Sequence, residues 1–161
     1  MQKTQEERTL IIMKPDCIMR GLLGDIITRF ERKGLKIIGL KMVELGDVLI
    51  EEHYGHHKDK PFFHSLKSFM QSSPVVVMAV SGFKAINAVR IIVGPTKGYE
   101  ADAGSIRGDF SMSTQTNVVH ASDSKESADK EIPRFFKENE IFEYNRSDYE
   151  FVYGVEDRGE L

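Results

Sequence analysis

His120 closes the apolar run Asn117-Val118-Val119-His120 and is followed by Ala121-Ser122-Asp123. A strand-to-helix junction of this kind can present a side chain rigidly beside helix N-terminal amides, which favour anions. Neutral imidazole is a nucleophile near pH 7 and can accept a phosphoryl group. The same residue would serve as well as a core histidine hydrogen-bonded to backbone, and its local sequence leaves both readings open. Of the remaining histidines, His53, His56, His57 and His64, two stand at i,i+4 (His53 and His57). No acid or thiol at ligand spacing completes a metal site around them, so no protein-held metal is expected. Phosphate-binding motifs are missing. Gly94-Pro95-Thr96-Lys97-Gly98 has the wrong spacing for a P-loop, no G-x-G-x-x-G occurs, and Gly108-Asp109-Phe110 is not preceded by H-R-D. Any nucleotide phosphate must therefore be held by side chains. Arg107-Gly108-Asp109 spells an integrin-binding triplet, but secretory features to support that use are lacking.

The elements that must position these residues follow from hydrophobic spacing. Thr9–Met13 reads as a strand, ended by a turn at Lys14-Pro15-Asp16. Leu22, Leu23, Ile26, Ile27 and Phe30 recur at helical spacing up to Lys33, with Gly34 as the C-terminal cap residue. Leu35–Glu44 reads as a second strand. Asp47 is placed as the N-cap of a helix reaching Tyr54, and Pro61 in the first turn of another that carries Phe62, Phe63, Leu66, Phe69 and Met70. Pro74–Val80 is a buried strand, and Phe83–Val93 an amphipathic helix stopped by Gly94-Pro95. Residues 94–116 form a long Gly/Pro-rich loop, a feature usually tied to function in a compact domain. Asn117–His120 is the last strand, and Ser122 or Ser124 caps a helix running to about Phe136. The order predicts an α+β fold: a ferredoxin-like βαββαβ sandwich with an inserted helical pair, its antiparallel four-stranded sheet covered by helices.

At 161 residues the chain is read as a single domain spanning 1–161, large enough for a proper core. The formal net charge of -3 argues against a general nucleic-acid binder. One cysteine, Cys17, excludes an internal disulfide and suits a reducing compartment. Met1–Arg8 is polar, and Leu10–Met13 is too short for a signal peptide's apolar region. Val75–Val80 is far below membrane-spanning length. The expected residence is cytoplasmic, with no membrane partner.

Several strings, in order along residues 8–145, resemble the nucleoside diphosphate kinase family. They are Arg8–Asp16, Arg20-Gly21-Leu22, His53-Tyr54, Pro61-Phe62-Phe63, Ser73-Pro74-Val75-Val76, Gly104–Phe110 and Asn117–Ser124. The resemblance implies a ping-pong phosphotransferase. His120 would take the γ-phosphoryl of a nucleoside triphosphate on Nδ1 and pass it to a nucleoside diphosphate. Glu131 would bond the other ring nitrogen, supported by Ser122, in the orienting manner of a catalytic triad. Lys14, Arg90 and Arg107 match the family's phosphate cations, Thr96 a hydroxyl donor to phosphate, and Tyr54 the tyrosine beside the transferred group. Asn117 matches the amide that reads the ribose 3′-hydroxyl with Lys14. Phe62 is similar to the aromatic on which the base stacks, and without a base-edge reader the family's tolerance of bases and sugars is expected to be broad. Mg²⁺ is expected on the nucleotide phosphates, approached by Asp123 through water. The family forms hexamers of three dimers, with tetramers in some members, and a hexamer is expected here.

Cys17 and Ala121 stand where the family usually has glycine, and Gly98 and Ala103 where many members have proline. The last two bear on a loop that builds subunit contacts in the family. Two rival readings are a non-catalytic ferredoxin-like module binding nucleotide or RNA and a degenerate scaffold. The first lacks an RNA-recognition strand of K/R-G-F/Y type, and the second would be expected to lose His120, Lys14 or Arg107.

Overall fold

The computed structural model describes residues 6–158. Met1–Gln5, part of the stretch judged unlike a signal peptide, lie outside the described residues, as do the last three positions of the expected domain. Four strands, β1 (Glu6–Met13), β2 (Lys36–Val43), β3 (Val75–Phe83) and β4 (Val119–Ala121), form one sheet in the order β2-β3-β1-β4. Every pairing is antiparallel. This is the expected ferredoxin-like α+β arrangement.

The central strands read as unbroken apolar runs because both faces of the sheet are covered. On one face Ile11, Met13, Val76, Met78 and Val80 pack with Ile26 and Phe30 of α2 (Leu23–Arg32) and Val89 and Val93 of α5 (Ala85–Val93). On the other, Leu10, Ile12, Val75, Val77 and Ala79 meet three helices. Ile50 comes from α3 (Asp47–Tyr54), Leu66 and Met70 from α4 (Phe63–Met70), and Phe135 from α7 (Lys125–Phe135). Alternate residues of one strand thus serve two cores.

Gly34 ends α2 as expected. At φ 99° its N–H donates to Glu31 O and Leu35 N–H to Phe30 O, the pair of bonds that satisfies a helix's last carbonyls. Other local expectations are corrected. Lys14-Pro15-Asp16 is no simple turn; Pro15 opens a short helix, α1 (Pro15–Met19), where its missing N–H costs nothing. Asp47 is the first helical residue after an N-cap at Gly46, because its carboxylate is taken by Gln71 and Lys67 of the neighbouring helix end. Pro61 lies one residue before the N-cap, Phe62. The loop 94–116 contains a further helix, α6 (Ile106–Phe110), capped by the Ser105 hydroxyl accepting from Gly108 N–H. The last strand starts two residues later than expected, at Val119. Gly98 is buried so tightly against Ser111 that a Cβ would collide with that residue's hydroxyl and carbonyl oxygens, so packing explains glycine there.

After α7 the chain runs back along β2, an edge strand. Phe142 N–H donates to Ile38 O at 2.8 Å, Tyr144 OH to Ile37 O at 2.6 Å and Arg146 to Leu35 O at 2.9 Å. These bonds occupy carbonyls that an open edge would leave exposed. A short helix, α8 (Tyr149–Val152), follows. Among the described residues no helix is long and apolar enough to cross a membrane.

Phe30 is fully buried between α2 and the sheet. Phe30→Ala is expected to lower unfolding free energy by about 3–5 kcal/mol. Denaturant titration checks this, with a lower midpoint and an unchanged slope.

Candidate active site

The site begins at a strained turn. Val118 has φ 75°, a conformation that β-branched residues rarely adopt, and Val119 N–H donates back to Asn117 O at 2.8 Å, closing a γ-turn. Strain of this kind costs about 1–3 kcal/mol and persists where surroundings enforce it. Here they do. Asp16 Oδ2 accepts from Val118 N–H at 2.9 Å, and Val118 O accepts from Lys14 N–H at 2.9 Å. The Arg107 guanidinium donates to Val119 O at 2.6 Å, Gly94 O at 3.1 Å and Asn117 O at 3.3 Å. Beyond the turn, β4 pairs with β1 so that His120 lies opposite Ile12.

α7 supplies the residue that orients His120. Ser124, not Ser122, caps that helix, accepting from Ser127 N–H at 3.1 Å. Ser122 instead lies fully buried, accepting from Leu10 N–H at 3.3 Å and donating to Glu131 Oε2 at 2.6 Å. The same carboxylate oxygen lies 3.2 Å from His120 Nε2. Burial alone would raise the Glu131 carboxyl, but the hydrogen bond and charge of His120, with the Ser122 hydroxyl, hold it down at about 2. An ionised carboxylate only accepts, so His120 carries its proton on Nε2 and leaves Nδ1 as a free lone pair.

A cleft of about 950 Å³ opens in front of this pair. Except for the fully buried Ser122, every residue named from sequence as a site residue lines it: Lys14, Tyr54, Phe62, Arg90, Thr96, Arg107, Asn117, His120 and Glu131, and Asp123 as well. Their states differ. Lys14 is only 6% exposed, donating from Nζ to Gln115 O at 2.6 Å and Asn117 Oδ1 at 2.8 Å. Burial, with Arg107 acting in the same direction against the opposing Asp16, brings its ammonium down to about 8. Arg107 is brought to about 10 by burial and by Arg90. Its side chain braces the γ-turn, and all three of its guanidinium nitrogens are bonded to carbonyls. Arg90 makes one long bond to Ala121 O at 3.4 Å. Asn117 donates to Thr96 O and Thr114 O, both at 2.8 Å, which fixes the oxygen that holds Lys14. Phe62 is 44% exposed at the mouth, whereas Phe63 packs on the core. The Tyr54 ring stands edge-on to His120 with centroids 6.4 Å apart.

Sequence reasoning missed three contributors. Gln115 holds Lys14 through its carbonyl and exchanges hydrogen bonds with Ser65 of α4 through its side-chain amide. His53 packs on His120, centroids 4.7 Å apart, and Arg134 of α7 donates to His53 Nδ1 at 3.0 Å. No local signal announces these pairings. His53, His120 and Glu131 do bring ligand atoms within 4.8 Å of one another, the cluster that ligand spacing did not suggest. The Arg134 guanidinium against His53 opposes a cation at that point.

Known proteins give the arrangement its class. Residues 7–141 match the family model described as nucleoside diphosphate kinase. A nucleoside diphosphate kinase of Parabacteroides distasonis is 54% identical over 138 residues, covering 86% of this chain and 90% of that protein. One from Pyrococcus abyssi is 50% identical over 151 residues, covering 92% and 95%. Among solved structures, a halophilic nucleoside diphosphate kinase from Halobacterium salinarum in complex with CDP superposes with a TM-score of 0.90 at 41% identity, covering 92% of this chain and 99% of that one. A transition-state mimic of the Borrelia burgdorferi enzyme with bound vanadate and ADP gives 0.84 at 39% identity, covering 89% and 94%. The chain belongs to the nucleoside diphosphate kinase family.

Lys14 loses its charge as pH rises through about 8. ADP affinity is therefore expected to fall across that range, and Lys14→Gln to be weaker by roughly ten- to a hundredfold at neutral pH and flat with pH. Calorimetric titrations at several pH values check this.

Proposed function

We propose that the chain transfers the γ-phosphoryl group of a nucleoside triphosphate to nucleoside diphosphates through a phosphohistidine on His120. The observation that carries the reading is the Glu131 carboxylate accepting from His120 Nε2, which leaves Nδ1 unprotonated inside a cleft that gathers Lys14, Arg90 and Arg107. The Nδ1 lone pair attacks the γ-phosphorus, the bond to the β–γ bridging oxygen breaks, and the nucleoside diphosphate leaves with that electron pair. A terminal phosphate oxygen of a second diphosphate then attacks the phosphoryl group, and the N–P electrons return to Nδ1. Glu131 stabilises the positive ring that exists between the two steps.

Phosphoryl transfer asks mainly for positioning and charge. Lys14 meets the γ-phosphoryl and, with Asn117, the ribose 3′-hydroxyl. Arg90, with one long bond to release, donates to phosphate oxygens, and the Thr96 hydroxyl adds a further donor. Arg107 contributes its charge while bracing the turn, and Tyr54 stands beside the transferred group. Phe62 provides a stacking face that every base can use, giving broad base and sugar tolerance. Mg²⁺ bound to the nucleotide neutralises phosphate charge. Asp123 suits a water-mediated approach to it, since its carboxyl lines the cleft and is held ionised chiefly by the Ser127 hydroxyl.

The family resemblance extends the proposal to a homo-oligomer, a hexamer with a tetramer as the alternative. Large apolar side chains left on the surface, such as Met112 at 84% and Ile91 at 68% exposure, supply area an assembly would cover. Buried Cys17, its thiol pushed up to about 12 chiefly by burial, needs no oxidising compartment and suits residence in the cytoplasm.

Incubation with ATP-Mg²⁺ should add one acid-labile phosphoryl group per chain, and none to His120→Ala; label persisting in that variant contradicts the assignment. Phe62→Ala should weaken all nucleotides alike by about 1–3 kcal/mol. Loss confined to one base would reveal a specificity pocket.

A further inference from the structure

His53 takes no part in the steps above, yet it touches the groups that do. Its ring is 5% exposed and stands edge-on to three others: His120 at 4.7 Å, Tyr54 at 4.6 Å and Phe135 at 5.3 Å between centroids. Arg134, in the last turn of α7, donates to its Nδ1 at 3.0 Å. A guanidinium can only donate, so Nδ1 must be an unprotonated acceptor and the neutral ring carries its proton on Nε2. That Nε2 is buried and makes no hydrogen bond. An unpaired buried donor is unfavourable, and left to itself the ring would exchange tautomers or gain solvent contact. The bond from Arg134 and the packing of three rings hold it as it is.

Charge points the same way. Burial first, then the neighbouring His120, bring His53 down to about 3; Arg134 and His56 act in the same direction and Glu131 against them. His53 is thus neutral wherever His120 can react. A second cation beside His120 would compete for Glu131 and oppose the positive ring that forms once Nδ1 is phosphorylated. Arg134 belongs to none of the strings that carry the family resemblance. His53 does.

We propose that His53 and Arg134 form a positioning pair for the phosphoryl-accepting histidine: Arg134 fixes His53 as the neutral Nε2–H tautomer, and that ring wedges His120 in the plane where Nε2 meets Glu131 and Nδ1 faces the cleft. The proposal rests on His120 being the phosphoryl acceptor. Arg134 and His53 then act through His120 and not on the nucleotide, although both also line the cleft. Removing the donor frees His53 to change tautomer, and His120 gains freedom to turn. Misplacing a reacting atom by about 1 Å costs up to roughly a hundredfold in rate.

The test compares the intact protein with its Arg134→Leu and Arg134→Lys variants. Single-turnover phosphorylation by ATP-Mg²⁺, calorimetric ADP binding and ¹⁵N imidazole spectra are recorded for each. The pairing predicts phosphorylation roughly ten- to a hundredfold slower in Arg134→Leu, with ADP affinity held within about twofold and partial recovery in Arg134→Lys, which keeps a donor. It also predicts an Nε2–H signal for His53 in the unsubstituted protein, a reading that needs no variant to fold. Equal phosphorylation rates in Arg134→Leu overturn the pairing, as does a loss confined to ADP affinity, which would make Arg134 a phosphate contact. An Nδ1–H tautomer at His53 overturns it as well. Failure of the unsubstituted protein to phosphorylate His120 at all is the separate outcome that removes the proposed function, and the pairing with it.

Discussion

The carboxylate of Glu131 accepting a hydrogen bond from His120 Nε2 is the constraint on which the site depends. Imidazole has two nitrogens, and a nucleophile is useful only if the unprotonated one faces the electrophile. The choice is made behind the ring. Leu10 N–H, a backbone group of the central strand β1, donates to Ser122 Oγ, and Ser122 donates to the carboxylate oxygen that also receives His120. The chain of bonds therefore starts in the sheet and ends at the His120 ring. β4 is only three residues long, so its pairing with β1 could not by itself fix a side chain at its centre. The helix that brings Glu131 does the rest.

A second constraint concerns charge. Lacking a glycine-rich phosphate loop, the chain gathers side-chain cations instead, and it keeps them in place with carbonyls and one amide. Asn117 receives Lys14 on its oxygen while its nitrogen is anchored to Thr96 and Thr114. Arg107 is committed to three carbonyls around the strained turn at Val118. Burial lowers both cations' affinity for protons, so each gains from an incoming anion. The strain at Val118 and the desolvation of Lys14 belong to one arrangement, which under the proposed function holds groups ready for a phosphate.

Much of this was legible in the sequence, for identifiable reasons. The two-sided burial of β1 and β3 shows as apolar runs, helix α2 as a clean helical period, and Gly34 as its stop. His120 was visible as a residue type at a junction, but choosing nucleophile over core histidine required the ordered family strings. What stayed hidden was set by tertiary partners. Asp47 reads as a cap until Gln71 and Lys67 are seen to take its carboxylate. Ser122 and Ser124 are indistinguishable as caps until one is found buried under Leu10. Arg107 matches a phosphate cation in the sequence, but its second task, three bonds to carbonyls around the turn, shows only in the fold. The bond from Arg134 to His53 spans 81 positions, and no periodicity or motif connects them.

The central claim is that Glu131 fixes the protonation of His120 so that Nδ1 alone is free to react. The most direct measurement is a ³¹P–¹⁵N correlation spectrum of the uniformly ¹⁵N-labelled protein after reaction with ATP-Mg²⁺. The account predicts one phosphoryl group coupled to Nδ1 of His120, with the Nε2 proton still present and protected from exchange by Glu131. Phosphorus coupled to Nε2, or to another residue, would contradict it.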